Sequence, residues 1–519
     1  MNRRTFLEFL GLGTFGLALS PNLAFSSGPK KLSWPKPIPP SSADQLILSE
    51  GLRYELLISW KDKISDKDFF GHHNDYLAFL NLEEGPALWV NHEYMDPLFV
   101  SGFKNGERKT KSQIDLERYE VGGSLLALDQ VNGKWKVIPD SPLNYRLTGT
   151  SKIPFAWKEA IQGQNFAIGT MGNCAGGVCP NGNILTCEEN YQDYYGDRDR
   201  EGNYVPGYYQ WSNAYDLPPE HYGWVVEFNP ITKESRKLVS LGRMAHECAT
   251  VSVCEDGRWV VYTGDDKENE HLYKFIGSKP GSLTEGKLYV ANFEEGKWLS
   301  LDLEDQPILK KNFSSQTEVL IHCREAAKLL RATPLDRPED IQIDPITRSV
   351  MVAATKNLSK ENYYGSILKI MEEGNHPDAL NFKSETFVSG GLDTGFACPD
   401  NIAFDPAGNL WFTTDISGWS IEEGPYSGFG NNALFAIPRW GETAGIPIRI
   451  ATAPVDAELT GPCFSSDGKT LFLSVQHPGE TTNDLSNFTS SWPGKPGEMP
   501  KSSVVAIQGD LLNQIAELR

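Results

Sequence analysis

The sequence predicts an all-β fold: a six-bladed β-propeller with long capping loops and insertions. Three observations carry this reading. A hairpin pattern recurs six times: "NDYLAFLNLEEGPALWVNHEY" (74–94), "NCAGGVCPNGNILTCEEN" (173–190), "HECATVSVCEDGRWVVYTGDD" (246–266), "RPEDIQIDPITRSVMVAAT" (337–355), "PDNIAFDPAGNLWFTTD" (399–415) and "AELTGPCFSSDGKTLFLSVQHPGE" (457–480). Each copy has a polar start, a β-rich run, a turn at Gly (Thr347 in the fourth) and an apolar run ending in polar residues. The leading residue precedes the turn by eight or ten positions in every copy, from Asp75 to Gly85 through Glu458 to Gly468. Both offsets are even, so the copies keep the same side-chain facing. Finally, 33 prolines and 48 glycines among 519 residues suit short strands joined by turns.

Taken in order, the copies define the blades. In a propeller the innermost strand of each blade lines a central channel. The leading residues Asp75, Cys174, Glu247, Glu339, Asp400 and Glu458 then converge on one mouth. The trailing groups Asn91, Glu93, Glu188, Glu189, Asp265, Asp266, Asp415 and His477 fall nearby. Segments 95–165, 190–220 and 275–335 read as outer strands and loops capping that mouth, with helical periodicity only in "HCREAAKLLRAT" (322–333). A proline-rich lead-in opens a single domain over residues 28–519.

Residues 1–27 read as an address. Arg3-Arg4, Phe6-Leu7 and an apolar run to Leu19 resemble a twin-arginine signal, with Glu8 where a lysine is usual. A short membrane anchor is the alternative. The expected mature protein is a monomer, not membrane-embedded, and periplasmic or secreted after passage through the twin-arginine export machinery. A net charge of −20 argues against nucleic acid as a partner. Eight cysteines in an oxidising compartment leave their pairing open.

A ring of carboxylates cannot stay ionised unless cations sit among them. Oxygen donors suit Ca²⁺. Cys174 adds a thiolate, which favours a transition metal such as iron or zinc. Arg337, two residues before Glu339, then offers a fork for phosphate or carboxylate. Cations plus arginine over an anion pocket suit phosphoryl hydrolysis. No motif presents a Ser nucleophile with a His-Asp relay. The ordinary readings stand beside these. A single strand-end carboxylate is usually a solvated turn residue. Cys174 reads equally as a buried residue or as half of a disulfide with Cys179 or Cys187. Arg337 can simply neutralise Asp336 or Asp340, His246 reads as a packing histidine, and His72-His73 as a surface pair.

"NCAGG…LTCEEN", "GRMAHE…VVYTGDD…LYKF", "RPED", "PDNIAFDPAGNLWFTTD" and "FLSVQHPGE" resemble the PhoX-type alkaline phosphatases over about residues 91–480. The resemblance implies a six-bladed propeller carrying Ca²⁺ and Fe³⁺, the irons bridged by an oxide. It implies cleavage of small phosphorylated organic substrates, phosphomonoesters and sometimes diesters, at alkaline pH. Carried over, Cys174 and Glu247 are iron ligands, Glu339 a calcium ligand and Arg337 the phosphate-binding catalytic residue. Glu188, Asp265, Asp400 and Glu458 follow as further metal ligands. The chain departs from the family after "AGG", where "VCPNGN" replaces a Thr-Pro-Trp-Gly run and alters the substrate pocket. A calcium-dependent lactonase or esterase, needing neither iron nor Cys174, and a non-catalytic binding propeller are the rival readings.

Overall fold

The structure, a computed structural model, describes residues 32–518. The segment read as an export signal lies outside the described residues. Six antiparallel sheets form the six blades of a propeller. The inner strands are Asn74–Leu82, Asn173–Val178, Thr250–Val253, Pro338–Ile343, Pro399–Phe404 and Glu458–Phe464. Each pairs with the strand expected after its turn, so blades 1 to 6 coincide with the six sequence copies. Alternation predicts these strands well because one face of each packs against the next blade.

The N-terminal lead-in closes the ring. Leu52–Ser59 pairs with Ser503–Gly509 as the outer strand of blade 6, and Ile47–Leu48 extends blade 5 beside Ile448–Thr452. The start of the chain thereby staples its end. These two strands precede the first repeat, and no repeat signal marks them.

Every blade shares a second feature. At the channel mouth the inner strand carries one more residue than its partner. Asn74 faces His92 and Leu77 faces Val90, for example, and the same slip falls in blades 2 to 6. An extra residue of this kind bends the strand and re-aims its side chains. Because all six blades have it, the relative facing inferred from even spacing survives, although the absolute facing shifts.

The bulge is braced by a repeated hydrogen bond. Glu93, Glu189, Asp266, Thr355 and Asp415 donate their backbone N–H to the carbonyls of His73, Gly172, Ala245, Arg337 and Cys398, at 2.7–3.1 Å. The residue two before the leading position is left-handed in five blades: His73, Gly172, Arg337, Cys398 and Asp456, with φ between 36° and 63°. Four of these are not glycine, at a cost of order 1 kcal/mol each. Arg337 therefore does not share a strand face with Glu339 by simple alternation. A left-handed turn delivers it.

Close blade-to-blade approach also matters. A Cβ on Gly264 would lie 2.0 Å from the carbonyl oxygen of Pro338, so only glycine lets blade 3 come this near Glu339. The core lies between neighbouring blades, where Trp89, Trp224 and Trp411 are fully buried. Each contributes roughly 2–3 kcal/mol of hydrophobic stabilisation.

The capping segments come chiefly from connections between second and third strands: 93–121, 189–224, 415–432 and 477–502. The last two are additional to the expected caps. Segment 275–335 supplies blade 3 strands and the helices Pro307–Asn312, Gln316–Ile321 and Cys323–Leu329, the last within the stretch read as helical. Among the described residues no helix is long and apolar enough to cross a membrane.

Candidate active site at the channel mouth

All six leading residues, Asp75, Cys174, Glu247, Glu339, Asp400 and Glu458, line one cavity of about 260 Å³ at the mouth. Cys174 Sγ lies 3.1 Å from Asp75 Oδ2 and 3.3 Å from Glu247 Oε1. Three overlapping clusters bring ligand atoms within 4.8 Å of one another: Asp75–Glu93–Cys174, Cys174–Glu189–Glu247 and Glu247–Asp266–Glu339. All seven residues are buried. Asp75 Oδ1 is buried without a hydrogen-bond partner.

Two like charges about 4 Å apart repel by about 4 kcal/mol at an effective dielectric of 20. The acidities respond accordingly. Burial, with Asp75 adding to it, raises Glu93 to about 8. Burial and Asp266 raise Glu339 to about 8, and burial raises Asp75 to about 6. Burial and the neighbouring carboxylates push Glu189, Glu247, Asp400 and Glu458 well above the usual range. Burial, then Asp75 and Glu247, lifts the Cys174 thiol well up. A site that resists ionisation this strongly matches a donor set made to surround cations. One sulfur and many oxygens suit a transition metal beside harder ions.

Arg337 is the counter-charge. Its Nε and Nη2 donate to Asp266 Oδ1 and Oδ2, both at 2.8 Å, and Nη2 lies 2.9 Å from Glu339 Oε1. Nη1 has only a 3.5 Å contact with Asp415. Burial would raise Asp266, yet the guanidinium outweighs it and holds that carboxyl well below the usual range. Asp415 is likewise lowered against burial, by Lys356 and Arg337.

His477 completes the rim. Its Nδ1 is 2.9 Å from the Asp456 carbonyl and its Nε2 3.2 Å from Glu458 Oε2. A carbonyl only accepts, so Nδ1 carries a proton toward Asp456.

Two expected ligands lie elsewhere. Glu188 is buried against Lys237 and accepts from the backbone N–H groups of Gly223 and Trp224, at 2.9 and 3.0 Å. Asp265 is held by Arg324, whose Nε donates to Oδ2 at 2.7 Å. The next residues, Glu189 and Asp266, occupy the mouth instead. Adjacent residues at a strand end face opposite ways. Aligning the strand ends reveals this, because Glu93, Glu189, Asp266 and Asp415 hold the braced position while Glu188 and Asp265 align with His92 and Thr414.

Other expectations also change. All eight cysteines are free, so Cys174 is not diverted into a disulfide. His72 and His73 are both buried, 2% exposed, rather than a surface pair. His246 is a packing histidine, its ring nitrogens 2.8 Å from Thr263 Oγ1 and the Gly242 carbonyl. Asp340 is buried and accepts from Ile402 N–H at 2.9 Å. Tyr94, Asn190, Asp193, Tyr209 and Glu480 line the cavity from the capping segments. Tyr94, Asn190 and Glu480 are the last residues of their repeat copies, past the positions that the spacing tracks, and Asp193 and Tyr209 stand outside the repeats altogether.

Fold and site together define a six-bladed propeller with a buried cluster of carboxylates and one thiol, able to hold metal ions, beside an arginine at the channel mouth. Comparison with known proteins places it more narrowly. Residues 35–479 match the family described as alkaline phosphatase PhoX. The chain belongs to that family and is a metal-dependent phosphatase. It is similar to Pseudomonas fluorescens PhoX, solved in complex with vanadate, a transition state analogue: 27% identity, TM-score 0.81, covering 91% of this chain and 97% of that one. A protein of unknown function from Dyadobacter fermentans aligns at 8% identity and TM-score 0.40, over 89% of this chain and 100% of its own. The PQQ domain of pyranose dehydrogenase from Coprinopsis cinerea aligns at 11% identity and TM-score 0.40, over 90% and 98%. No curated protein matches the chain.

Proposed function

We propose that this protein releases inorganic phosphate from phosphomonoesters, and from some diesters, in the cavity at the channel mouth. The observation that carries the reading is the pairing of Arg337 with buried carboxylates around one thiol. Cys174, Asp75, Glu93, Glu189 and Glu247 would hold iron. Asp266, Glu339, Asp400 and Glu458 would hold calcium, with Glu247 reaching both groups. The orphaned Asp75 Oδ1 and the sulfur-plus-oxygen donor set support this fit. When bound, such cations supply Lewis-acid charge against phosphoryl oxygens and lower the pKa of coordinated water.

The chain's own groups do the rest. Arg337 binds the phosphoryl group through its freer Nη1 edge while Asp266 and Glu339 fix the plane of the fork. Tyr94, Tyr194 and Tyr209 exclude water from the cavity wall. A calcium-only lactonase would have no use for the thiol at the centre of the cluster. We further read residues 1–27 as a twin-arginine-type signal ahead of one catalytic domain over 28–519. The folded, metal-loaded monomer then acts in the periplasm or beyond it.

The test is hydrolysis of p-nitrophenyl phosphate by the metal-loaded protein. Activity that disappears in Arg337→Ala at unchanged metal content supports the reading. A variant as active as the parent overturns it.

A further inference from the structure

We propose that the groove beside the catalytic cavity binds a flat ring on the alcohol side of the ester, making nucleoside monophosphates the preferred substrate class. The inference rests on the phosphatase reading and deepens it. The groove has a volume of about 850 Å³ and adjoins the catalytic cavity, with Tyr94, Tyr209 and Glu480 lining both. A phosphoryl group held at Arg337 sends its alcohol past Tyr94 and Tyr209 into this groove.

The walls select what fits. Tyr208 is 64% exposed and Trp419 66% exposed, yet both line the same groove. They come from different capping segments, 189–224 and 415–432, and Leu485 joins them from 477–502. Tyr208 leans edge-on against Tyr209, ring centroids 5.2 Å apart, which props it in place. Two large rings around a solvent-filled slot leave faces that a third planar ring can cover.

Asp96, Lys104, Asn105, Asn483 and Asp484 also line the groove, and His73 differs from them in carrying an unpartnered buried nitrogen. His73 lines the groove, is 2% exposed, and its Nδ1 is buried without a hydrogen-bond partner. The ring packs edge-on 4.3 Å from Tyr94 and tilted 3.8 Å from His72, so its position is set by these ring contacts. An unpartnered imidazole nitrogen suits a ligand hydroxyl. A planar ring joined to a hydroxylated spacer is the chemistry of a nucleoside. An aliphatic polyol would satisfy His73 and leave the aromatic walls unused.

The test compares adenosine 5′-monophosphate with glycerol phosphate on the metal-loaded enzyme. The ratio of kcat/KM should favour the nucleotide by about tenfold or more, the scale of one ring stacked on an aromatic side chain. In Trp419→Ala and in Tyr208→Ala that ratio should fall about tenfold, through KM rather than kcat. A parent ratio near one, or a ratio unmoved in both variants, overturns the proposal while leaving the phosphatase reading intact. Adenosine itself is titrated in parallel by calorimetry. Binding weakened about tenfold by Trp419→Ala supports the groove even if no ester is hydrolysed; absence of adenosine binding counts against it even if esters are.

Discussion

Arg337 and Asp266 meet as a two-pronged ion pair, with both donor–acceptor distances at 2.8 Å. The pair joins blade 4 to the end of the second strand of blade 3, and it leaves Nη1 with a 3.5 Å contact to Asp415. A fork needs a planar donor, so lysine is no substitute. Arg337→Ala and Arg337→Lys should each lower kcat/KM for a phosphomonoester by about 10²–10³. Inhibition by inorganic phosphate should weaken in parallel. Steady-state kinetics with phosphate as inhibitor reads both.

The two acidic pairs at strand ends should separate by role. Glu188→Gln leaves the Lys237 ammonium buried opposite a neutral amide, which should cost about 3 kcal/mol of stability. Its metal content should not change. Glu189→Gln and Asp266→Asn should instead lower metal content and activity with a smaller effect on unfolding. Denaturation curves and elemental analysis on the same preparations distinguish the two. Equal metal loss in Glu188→Gln would contradict the placement of this residue.

The pH dependence has a definite sign. Glu93 and Glu339, raised to about 8, and Asp75, raised to about 6, keep protons in the folded metal-free protein that the unfolded chain loses near pH 4 to 5. The folded state therefore binds more protons than the unfolded state across this window, and stability falls as pH rises from about 4.5 to 8. Cations replace those protons, so the loaded protein should not show the fall, and cation uptake below pH 8 should release protons. Tm against pH for chelated and loaded protein tests this. A flat curve for the chelated protein would contradict it.

Removing cations should also destabilise the site at working pH. Above pH 8 the carboxylates of the chelated protein ionise against one another, with about 4 kcal/mol of repulsion for a close pair. Treatment with a strong chelator should abolish activity and lower Tm, and restoring calcium together with iron should recover both. Recovery with calcium alone would favour a centre that does not use Cys174.

Much of this was legible in the repeats. Period-two alternation located all six inner hairpins, because each buries a face against its neighbour. The leading residues Asp75 through Glu458 followed from counting to the turn. The resemblance, not the count, named Glu188 and Asp265, and each stands one residue short of the mouth because neighbouring residues at a strand end face opposite ways. The left-handed turn at Arg337 was equally hidden, since nothing in the residue type announces positive φ. Tyr209 and Trp419 come from irregular segments, where position depends on long-range packing rather than on a local period.

The most direct measurement is elemental analysis of the purified protein beside Cys174→Ala, with p-nitrophenyl phosphate hydrolysis assayed on both. The thiol 3.1 Å from Asp75 and 3.3 Å from Glu247 is the one soft ligand in the cluster. Iron and calcium in the parent protein, with iron and activity lost together in the variant, is the predicted result. A parent protein that holds no tightly bound metal, or a variant that retains full activity, would contradict a phosphatase centred on this cluster.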